Sequence, residues 1–198
     1  LVDTAKRPTK TIQKNIGKQT AGEPTMKKPF RVHAWEKDPR NPIFPPGGGE
    51  FDVGCCMNPF VIRRGDEYYL FYGGGGKDGK RRVCLAMAPV NDLTRWKRLG
   101  PLFETGARGS FDEQWCVLPC VHKIGGTWHL YYTGNSSAPG GLQAFWGMGL
   151  AVSDDLLHWT KTSPDPVLLG DGFPQWPGNR GIAGGARMLE IPQPDGRI

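Results

Sequence analysis

The amino-acid sequence predicts an all-β protein built from blades of a β-propeller, and three observations lead to this prediction. A segment that begins at Phe51 is repeated without a gap from Phe111, 60 residues later. The chain has 29 glycines and 18 prolines, spread between short apolar runs, as expected for strands joined by tight turns. Each copy contains four short runs with the composition of strands. A repeat of this length is typical of units that stack or surround an axis.

The two copies agree at a series of positions that fixes their alignment. The matching pairs are Phe51 and Phe111, Asp52 and Asp112, Cys56 and Cys116, Pro59 and Pro119, Val61 and Val121, Gly65 and Gly125, Leu70 and Leu130, Tyr72 and Tyr132, and Gly74 and Gly134. A second match follows each copy, because residues 92–96 resemble residues 155–159 at an offset of 63. We read the Asp-Leu-x-x-Trp pattern of this second match as blade packing.

The first copy predicts one four-stranded blade. Pro59 fits best near the start of a strand, Gly65 lies in a predicted turn, and residues 73–80 form a glycine-rich loop. The aromatic run 68–72 is typical of β structure. The predicted strands are residues 57–63, 68–72, 82–88 and 96–99.

The second copy predicts the same order of elements. Its predicted strands are residues 117–123, 128–133, 146–153 and 159–161. Four short antiparallel strands in each unit fit a propeller blade better than a sandwich. A third unit is expected from about Gly181, with a first strand at 185–191. Two blades and one strand cannot close a ring, so we expect either a fragment, which we favour, or association with other copies.

The predicted domains are a leader and a partial propeller. Their bounds are 1–40 for the leader and 41–198 for the propeller, with blade one at about 51–105, blade two at about 111–170 and the start of blade three at about 179–198. The leader holds ten Lys/Arg and four Asp/Glu, whereas the rest of the chain holds fifteen of each. The basic excess therefore lies in a polar segment predicted to be disordered, and we expect no nucleic-acid partner.

The sequence predicts neither a membrane span nor a secretory signal. It has no run of 18 apolar residues and no apolar region at its start. An odd number of cysteines, five, favours reduced thiols and a cytoplasmic location, although the residues before Met26 are read as an upstream extension or part of a longer chain. Cys116 and Cys120 would lie roughly 13 Å apart on a strand, too far to share a metal ion. We predict no cofactor and leave the oligomeric state open.

Asp52 and Asp112 are the candidate catalytic residues. Each precedes the first strand of its blade, so both are expected to point into one channel from adjacent blades. Two carboxylates that share a pocket can divide their pKa values and serve as acid and base, as in glycoside hydrolysis. The alternative is equally supported, because an aspartate at a repeated turn often binds nearby backbone N–H groups.

Several strings resemble a known group of proteins. LAMAPVNDLTRW (85–96), LAVSDDLLHW (150–159) and the hairpins VIRRGDEYYLFYGG and VHKIGGTWHLYYTG are similar to elements of the arabinanase/levansucrase/invertase superfamily, which includes glycoside hydrolase families 32, 43, 117 and 130. The resemblance covers roughly residues 41–198. It implies a five-bladed propeller, two to three carboxylates at the channel mouth and a sugar substrate. Some relatives hold calcium in the channel, but no residues here indicate it.

The sequence departs from this resemblance at the expected catalytic positions. Families 32 and 43 place the first catalytic aspartate directly before a proline on blade one, where this chain has Asn58. Family 43 has a second aspartate before a proline on blade two, where this chain has Leu118. The glutamate acid of blade three is not identified, and Glu190 is not chosen. If the site is complete, Asp52 would be base or nucleophile, and Asp112 would tune the acid's pKa or position the ring.

Three further residues are assigned to substrate binding. They are Asn58, at the departing position, Trp115, whose indole can stack on a sugar ring or fill the core, and Arg180, near the Asp52 position of blade three. The sequence thus predicts a glycoside hydrolase-like protein acting on an oligo- or polysaccharide. A non-catalytic carbohydrate-binding propeller is the alternative, and a scaffold for protein partners is a third.

Overall fold

A computed structural model describes residues 36–136, 145–169, 184–188 and 191 of this chain. The chain divides into two compact parts, Leu1–Lys37 and Asp38–Ile198, and the strands of the described residues all lie in the latter. The described residues form strands, turns and loops without a helix. Accordingly, no helix among them could cross a membrane.

The described residues form nine strands, which confirms the predicted all-β class. They are β1 (Cys55–Arg64), β2 (Glu67–Gly75), β3 (Arg81–Pro89), β4 (Lys97–Pro101), β5 (Trp115–Ile124), β6 (Thr127–Ser136), β7 (Phe145–Ser153), β8 (Thr160–Lys161) and β9 (Leu168–Leu169). The short strand β9 was not predicted from the sequence. Residues 184–188 and 191 lie outside any strand, so the first strand expected at 185–191 is wrong for these residues; residues 189 and 190 lie outside the described part.

The strands form two antiparallel units that follow the sequence repeat. β1 to β4 pair consecutively, and β5 to β7 pair in the same order, with β8 and β9 both paired to β7. The two units meet at a single parallel bridge, in which Arg81 of β3 lies beside Trp115 of β5. Each sequence repeat therefore folds as one antiparallel, blade-like sheet.

The first hairpin turn of each unit begins with a glycine that the backbone requires. Gly65 joins β1 to β2, and Gly125 joins β5 to β6; both have a φ of 60°. This region of backbone space disfavours residues with a Cβ atom. The shared Gly in both repeats is therefore explained by turn geometry.

A β-bulge interrupts the first strand of each unit at the shared proline. The strand register shifts between Met57 and Phe60 in β1 and between Val117 and Cys120 in β5. A proline has no N–H to donate to a neighbouring strand, and a bulge is one of the few places in a sheet that accepts it. The bulge also re-aims the side chain of the residue before the proline.

One face of the first unit packs against the second unit and forms the main core. Phe71 of β2 is fully buried, and its ring lies 5.9 Å from that of Trp159 at an angle of 89°. Val83 and Leu85 of β3 belong to the same cluster, as does Leu130 of β6. This packing buries the aromatic and branched side chains that point from alternate strand positions toward the neighbouring blade.

The opposite face of the first unit is an open apolar groove of about 360 Å³. Leu70 and Tyr72 of β2 form its floor, and Phe44 and Trp96 pack at its side. The groove lies on one face of the first unit. The equivalent face of the second unit is buried against the first unit. Two blades therefore leave one interblade face without a neighbour among the described residues.

Candidate functional site

Asp52 and Asp112 occupy equivalent buried positions in the two units. Each lies in the turn that leads into the first strand of its unit, and each follows a phenylalanine. Only 3% of Asp52 and 2% of Asp112 is exposed. The carboxylates therefore depend on protein groups rather than on water for their hydrogen bonds.

The partners of Asp52 come from the strands of its own unit. Oδ2 accepts hydrogen bonds from the hydroxyl of Tyr72 on β2, at 3.0 Å, and from Nε of Arg98 on β4, at 2.7 Å. The thiol of Cys56 lies 3.9 Å from the same oxygen. Arg98 also donates to the carbonyl oxygen of Pro45. The Asp52 carboxylate thus joins the loop before β1 to the outer strand β4.

Asp112 has the same partners at the equivalent positions. Its Oδ2 accepts from the hydroxyl of Tyr132, at 2.9 Å, and from Nζ of Lys161 on β8, at 2.7 Å. Ser110 donates to Oδ1 at 3.1 Å, and the thiol of Cys116 lies 3.6 Å from Oδ2. We call each set of aspartate, tyrosine, cation and cysteine the corner cluster of its blade. A Phe ring also lies beside each cation, at Phe44 and Phe103.

The cations of the corner clusters were missed in the sequence because their residue types differ. Arg98 and Lys161 each follow the repeated tryptophan by two residues, at the same offset of 63 as that tryptophan. A comparison of the two repeats by side-chain charge, rather than by residue identity, would have found them. The tyrosines and cysteines were visible as shared positions but had no assigned role.

The charges of the second corner cluster hold Asp112 ionised. Burial alone would raise the pKa of its carboxyl, but the hydrogen bond and charge of Lys161, together with hydrogen bonds from Tyr132 and Ser110, lower it on balance. Burial, reinforced by the nearby carboxylates and thiols, raises the pKa of the Tyr72 and Tyr132 hydroxyls. Each tyrosine therefore stays protonated and donates to its carboxylate. The second corner cluster therefore carries one negative charge, on Asp112, and one positive charge, on Lys161.

That the two carboxylates face one channel stays a prediction. Asp112 lines a cavity of about 480 Å³ together with Ser110, Lys161 and other residues of the loops around them, and Asp52 is not among its lining residues. Their partners lie within their own blades, toward strands β4 and β8. These contacts are those expected of a residue that fixes the corner of a blade.

The bulges place Asn58 and Leu118 at equivalent, half-buried positions. Both have left-handed backbone conformations, with φ of 53° and 56°. Asparagine adopts this conformation more readily than leucine does, so Leu118 is the strained member of the pair. Strained backbone often lies at functional sites. Substrate binding by Asn58 stays a prediction.

Trp115 lies in a row of side chains across three strands at one end of the second unit. In the strand register Trp115 of β5 pairs with Asn135 of β6, which pairs with Trp146 of β7. The Trp115 and Trp146 rings are 5.7 Å apart and meet edge to face at 75°. The guanidinium carbon of Arg81 lies 4.1 Å above the Trp115 ring. We call these four residues the mouth row.

Sequence reasoning named Trp115 but not its neighbours in the mouth row. Arg81 follows a glycine-rich loop, and Trp146 is the second residue of β7, so neither shows a motif that indicates function. Only the strand register brings them beside Trp115. The third predicted binding residue, Arg180, lies outside the described residues, as does Glu190.

The cysteines and acids of the described residues form no metal site. No group of three or more His, Cys, Asp or Glu in this part of the chain is placed to hold an ion. All five thiols are free. Burial raises the pKa of the Cys84 thiol to about 12, with a further contribution from Asp52, and burial likewise raises the pKa of Cys116. These two thiols are therefore uncharged at neutral pH and serve as small apolar residues.

Comparison with known proteins finds structural relatives but no sequence relatives. No family model matches the chain, and neither does any curated protein. A glycosyl hydrolase from Bacteroides ovatus is 18% identical over 68% of this chain, with a TM-score of 0.52. Fructan 1-exohydrolase IIa from Cichorium intybus is 20% identical over 62% of it, with a TM-score of 0.50. Zg3597, a family 117 glycoside hydrolase from Zobellia galactanivorans, is 21% identical over 61%, with a TM-score of 0.49.

The chain spans less than half of each of these proteins, namely 42%, 22% and 36% of their lengths in the same order. At such identities the likeness concerns the fold. Two blade-like units are described, so the count of five blades stays a prediction. In fold, the described part of this chain resembles part of the propeller glycoside hydrolases, as the sequence resemblance predicted.

Proposed function

We propose that this chain is part of a glycoside hydrolase-like propeller that acts on the glycosidic bonds of an oligo- or polysaccharide. The observation that carries the proposal is the fold shared with the glycosyl hydrolase from Bacteroides ovatus and with the Cichorium intybus fructan exohydrolase. The mouth row supports it independently, because its two tryptophans and its arginine suit the apolar face and the hydroxyl groups of a sugar ring.

The catalytic part of the proposal concerns Asp52 and Asp112. As a base or nucleophile, Asp52 would have to reach the anomeric carbon or a water beside it, and Asp112 would act on the acid's pKa or on the ring. Both carboxylates must then exchange part of their contacts in the corner clusters for contacts to the substrate. Only such a rearrangement would let them serve as the catalytic pair.

A second candidate function, carbohydrate binding without turnover, is favoured by the corner clusters. Each carboxylate is almost fully buried, and one oxygen of each is already bound to a cation and a tyrosine hydroxyl. The bulge positions carry Asn58 and Leu118, which cannot donate or accept a proton in hydrolysis. The mouth row would serve a binding protein equally well.

Turnover and binding measured on the same protein separate these functions. The full natural chain would be incubated with a panel of chromogenic glycosides and oligosaccharides, and binding would be measured by calorimetry. Turnover that Asp52→Asn abolishes while saccharide affinity and unfolding midpoint are kept supports the catalytic assignment. Binding without turnover supports the second candidate. A folded protein that neither binds nor cleaves any saccharide would contradict both candidate functions. A scaffold for protein partners would then remain.

A further inference from the structure

We propose that the mouth row is a binding site for an acidic saccharide, with Arg81 as the residue that binds the carboxylate of a uronic acid unit. This inference rests on the proposed function and names its substrate class. It follows from the position of Arg81, from its lack of an acidic partner among the described residues, and from the two tryptophan rings beside it.

The strand register holds Arg81 against the second blade. Arg81 is the first residue of β3, and it forms the single parallel bridge to Trp115 of β5. Its backbone N–H donates to the carbonyl oxygen of Gln114, at 3.0 Å, which fixes the main chain at this junction. Its guanidinium carbon then lies over the Trp115 ring, 4.1 Å from the ring centre. The cation is thus held in place before any ligand arrives.

The neighbouring arginines show by contrast why Arg81 is available. Arg82 is bound to Asp78, at 2.7 Å, and to Glu104, at 2.8 Å, and Arg98 is bound to Asp52 at 2.7 Å. In the part of the chain that the structure describes, Arg81 forms no ion pair with a carboxylate. Its side-chain contact is the indole face, and no hydrogen bond from its guanidinium to the described residues is found.

An arginine in this state is suited to a planar anion. Stacking on an aromatic face occupies the π surface of the guanidinium, while its N–H groups lie in the plane and match the two oxygens of a carboxylate. A half-buried cation also binds an anion more strongly than one in bulk water does, because the local dielectric constant is lower. Arg81 is half-buried.

The rest of the mouth row supplies contacts for the sugar ring. Trp146 is half-buried and presents its ring next to that of Trp115. Asn135 lies between the two tryptophans in the register and is buried, so the contacts to a ring come from the tryptophans. A ligand that places a carboxylate at Arg81 and a sugar ring against Trp146 is a uronic acid unit of an oligosaccharide.

Methyl esters provide the most direct test, because esterification removes the charge and leaves the sugar and linkage unchanged. Oligosaccharides of galacturonic, glucuronic and mannuronic acid would be titrated into the full chain, each beside its methyl ester. We expect at least one acid to bind about tenfold more tightly than its ester. Arg81→Gln should equalise acid and ester. Arg81→Lys, which keeps the charge but not the planar fork, should keep only part of the preference.

A matched control and a set of distinct outcomes make the test decisive. Arg63→Gln removes an exposed arginine at the other end of the first unit, and it should leave the preference for acid unchanged. Unfolding midpoints would be measured for all variants. Equal binding of acid and ester, or equal effects of the Arg81 and Arg63 variants, would overturn the inference while the proposed function stands. Binding of neither acids, esters nor neutral saccharides would refute the proposed function itself.

A sulfated oligosaccharide extends the same titration. A sulfate ester is a much weaker base than a carboxylate, so its oxygens accept hydrogen bonds from a guanidinium less strongly, and we expect weaker binding than with the uronic acid. Tighter binding of the sulfated ligand than of every uronic acid would overturn the assignment of a carboxylate.

Discussion

Single buried charges determine how the corner of each blade is held. In the second blade, the Asp112 carboxylate is almost fully buried, whereas the Lys161 side chain keeps 21% of its surface exposed. The lysine can therefore regain water if its partner is removed, but the carboxylate cannot. Removal of the lysine should consequently cost more than removal of the charge on Asp112.

We predict that Lys161→Met lowers the free energy of unfolding by about 3 kcal/mol, because it leaves a buried carboxylate without its cation. Asp112→Asn keeps the shape of the side chain and should cost about 1–2 kcal/mol. Urea denaturation of both variants checks this order. Lys97→Met, at an exposed lysine of β4, serves as the control and should change stability by less than about 0.5 kcal/mol. A loss in Lys161→Met no larger than in this control would contradict the account.

The pH dependence of stability should report the same pair. Because the pKa of Asp112 is lowered in the folded protein, its contribution is present above the unfolded value of about 4 and is lost as the pH falls through the folded pKa. Asp112→Asn should therefore make the free energy of unfolding less dependent on pH below about 4. Denaturation at several pH values from 2 to 6 is the measurement, roughly the range in which aspartate titrates. An unchanged slope, equal to that of Asp66→Asn at an exposed site, would exclude this role.

At the scale of one element, the β5–β6 hairpin separates backbone conformation from packing. Gly125 has a φ of 60°, whereas its neighbour Gly126 is not in the left-handed region. A Cβ atom added at either position would meet nothing within 4 Å. Any difference between alanine variants at these two positions must therefore arise from the backbone.

Gly125→Ala should destabilise the protein by about 1 kcal/mol, and Gly126→Ala should be neutral or slightly stabilising. The reason is that alanine must adopt a left-handed conformation at position 125 but not at position 126. Thermal or urea denaturation measures both. Equal effects of the two substitutions would mean that the turn differs from the one described.

The sequence predicted elements better than contacts. The repeat placed both hairpins correctly because Gly65 and Gly125 mark turns and the aromatic runs between them have the composition of strands. It did not reveal that Arg98 and Lys161 are equivalent, since different side chains supply the same charge. It also could not bring Arg81 beside Trp115, because that contact depends on how two blades meet. The catalytic assignment of Asp52 and Asp112 rested on a shared position, which fits a structural corner equally well.

At the scale of the whole molecule, one interblade face is covered and its counterpart is open. Val121 of the second unit is 3% exposed, and Val61 at the equivalent position of the first unit is 50% exposed. The two residues have the same side chain in the same place of a blade. They differ in their surroundings: the first blade packs against Val121, whereas Val61 faces the open groove.

We predict that Val121→Ala lowers the free energy of unfolding by about 1–2 kcal/mol and that Val61→Ala changes it by less than about 0.5 kcal/mol. The first substitution leaves a cavity between two blades, and the second removes atoms that already contact water. Denaturation of the purified chain measures both. A cost at Val61 equal to that at Val121 would show that the groove is covered in solution.

The most direct measurement of the central claim, that this fold handles carbohydrate at the mouth row, is tryptophan fluorescence during titration with oligosaccharides. The account predicts a saturable change in emission with at least one saccharide, and its loss in Trp115→Phe while that variant unfolds at the same denaturant concentration as the parent. A folded chain whose emission and heat of mixing do not respond to any saccharide would contradict the claim.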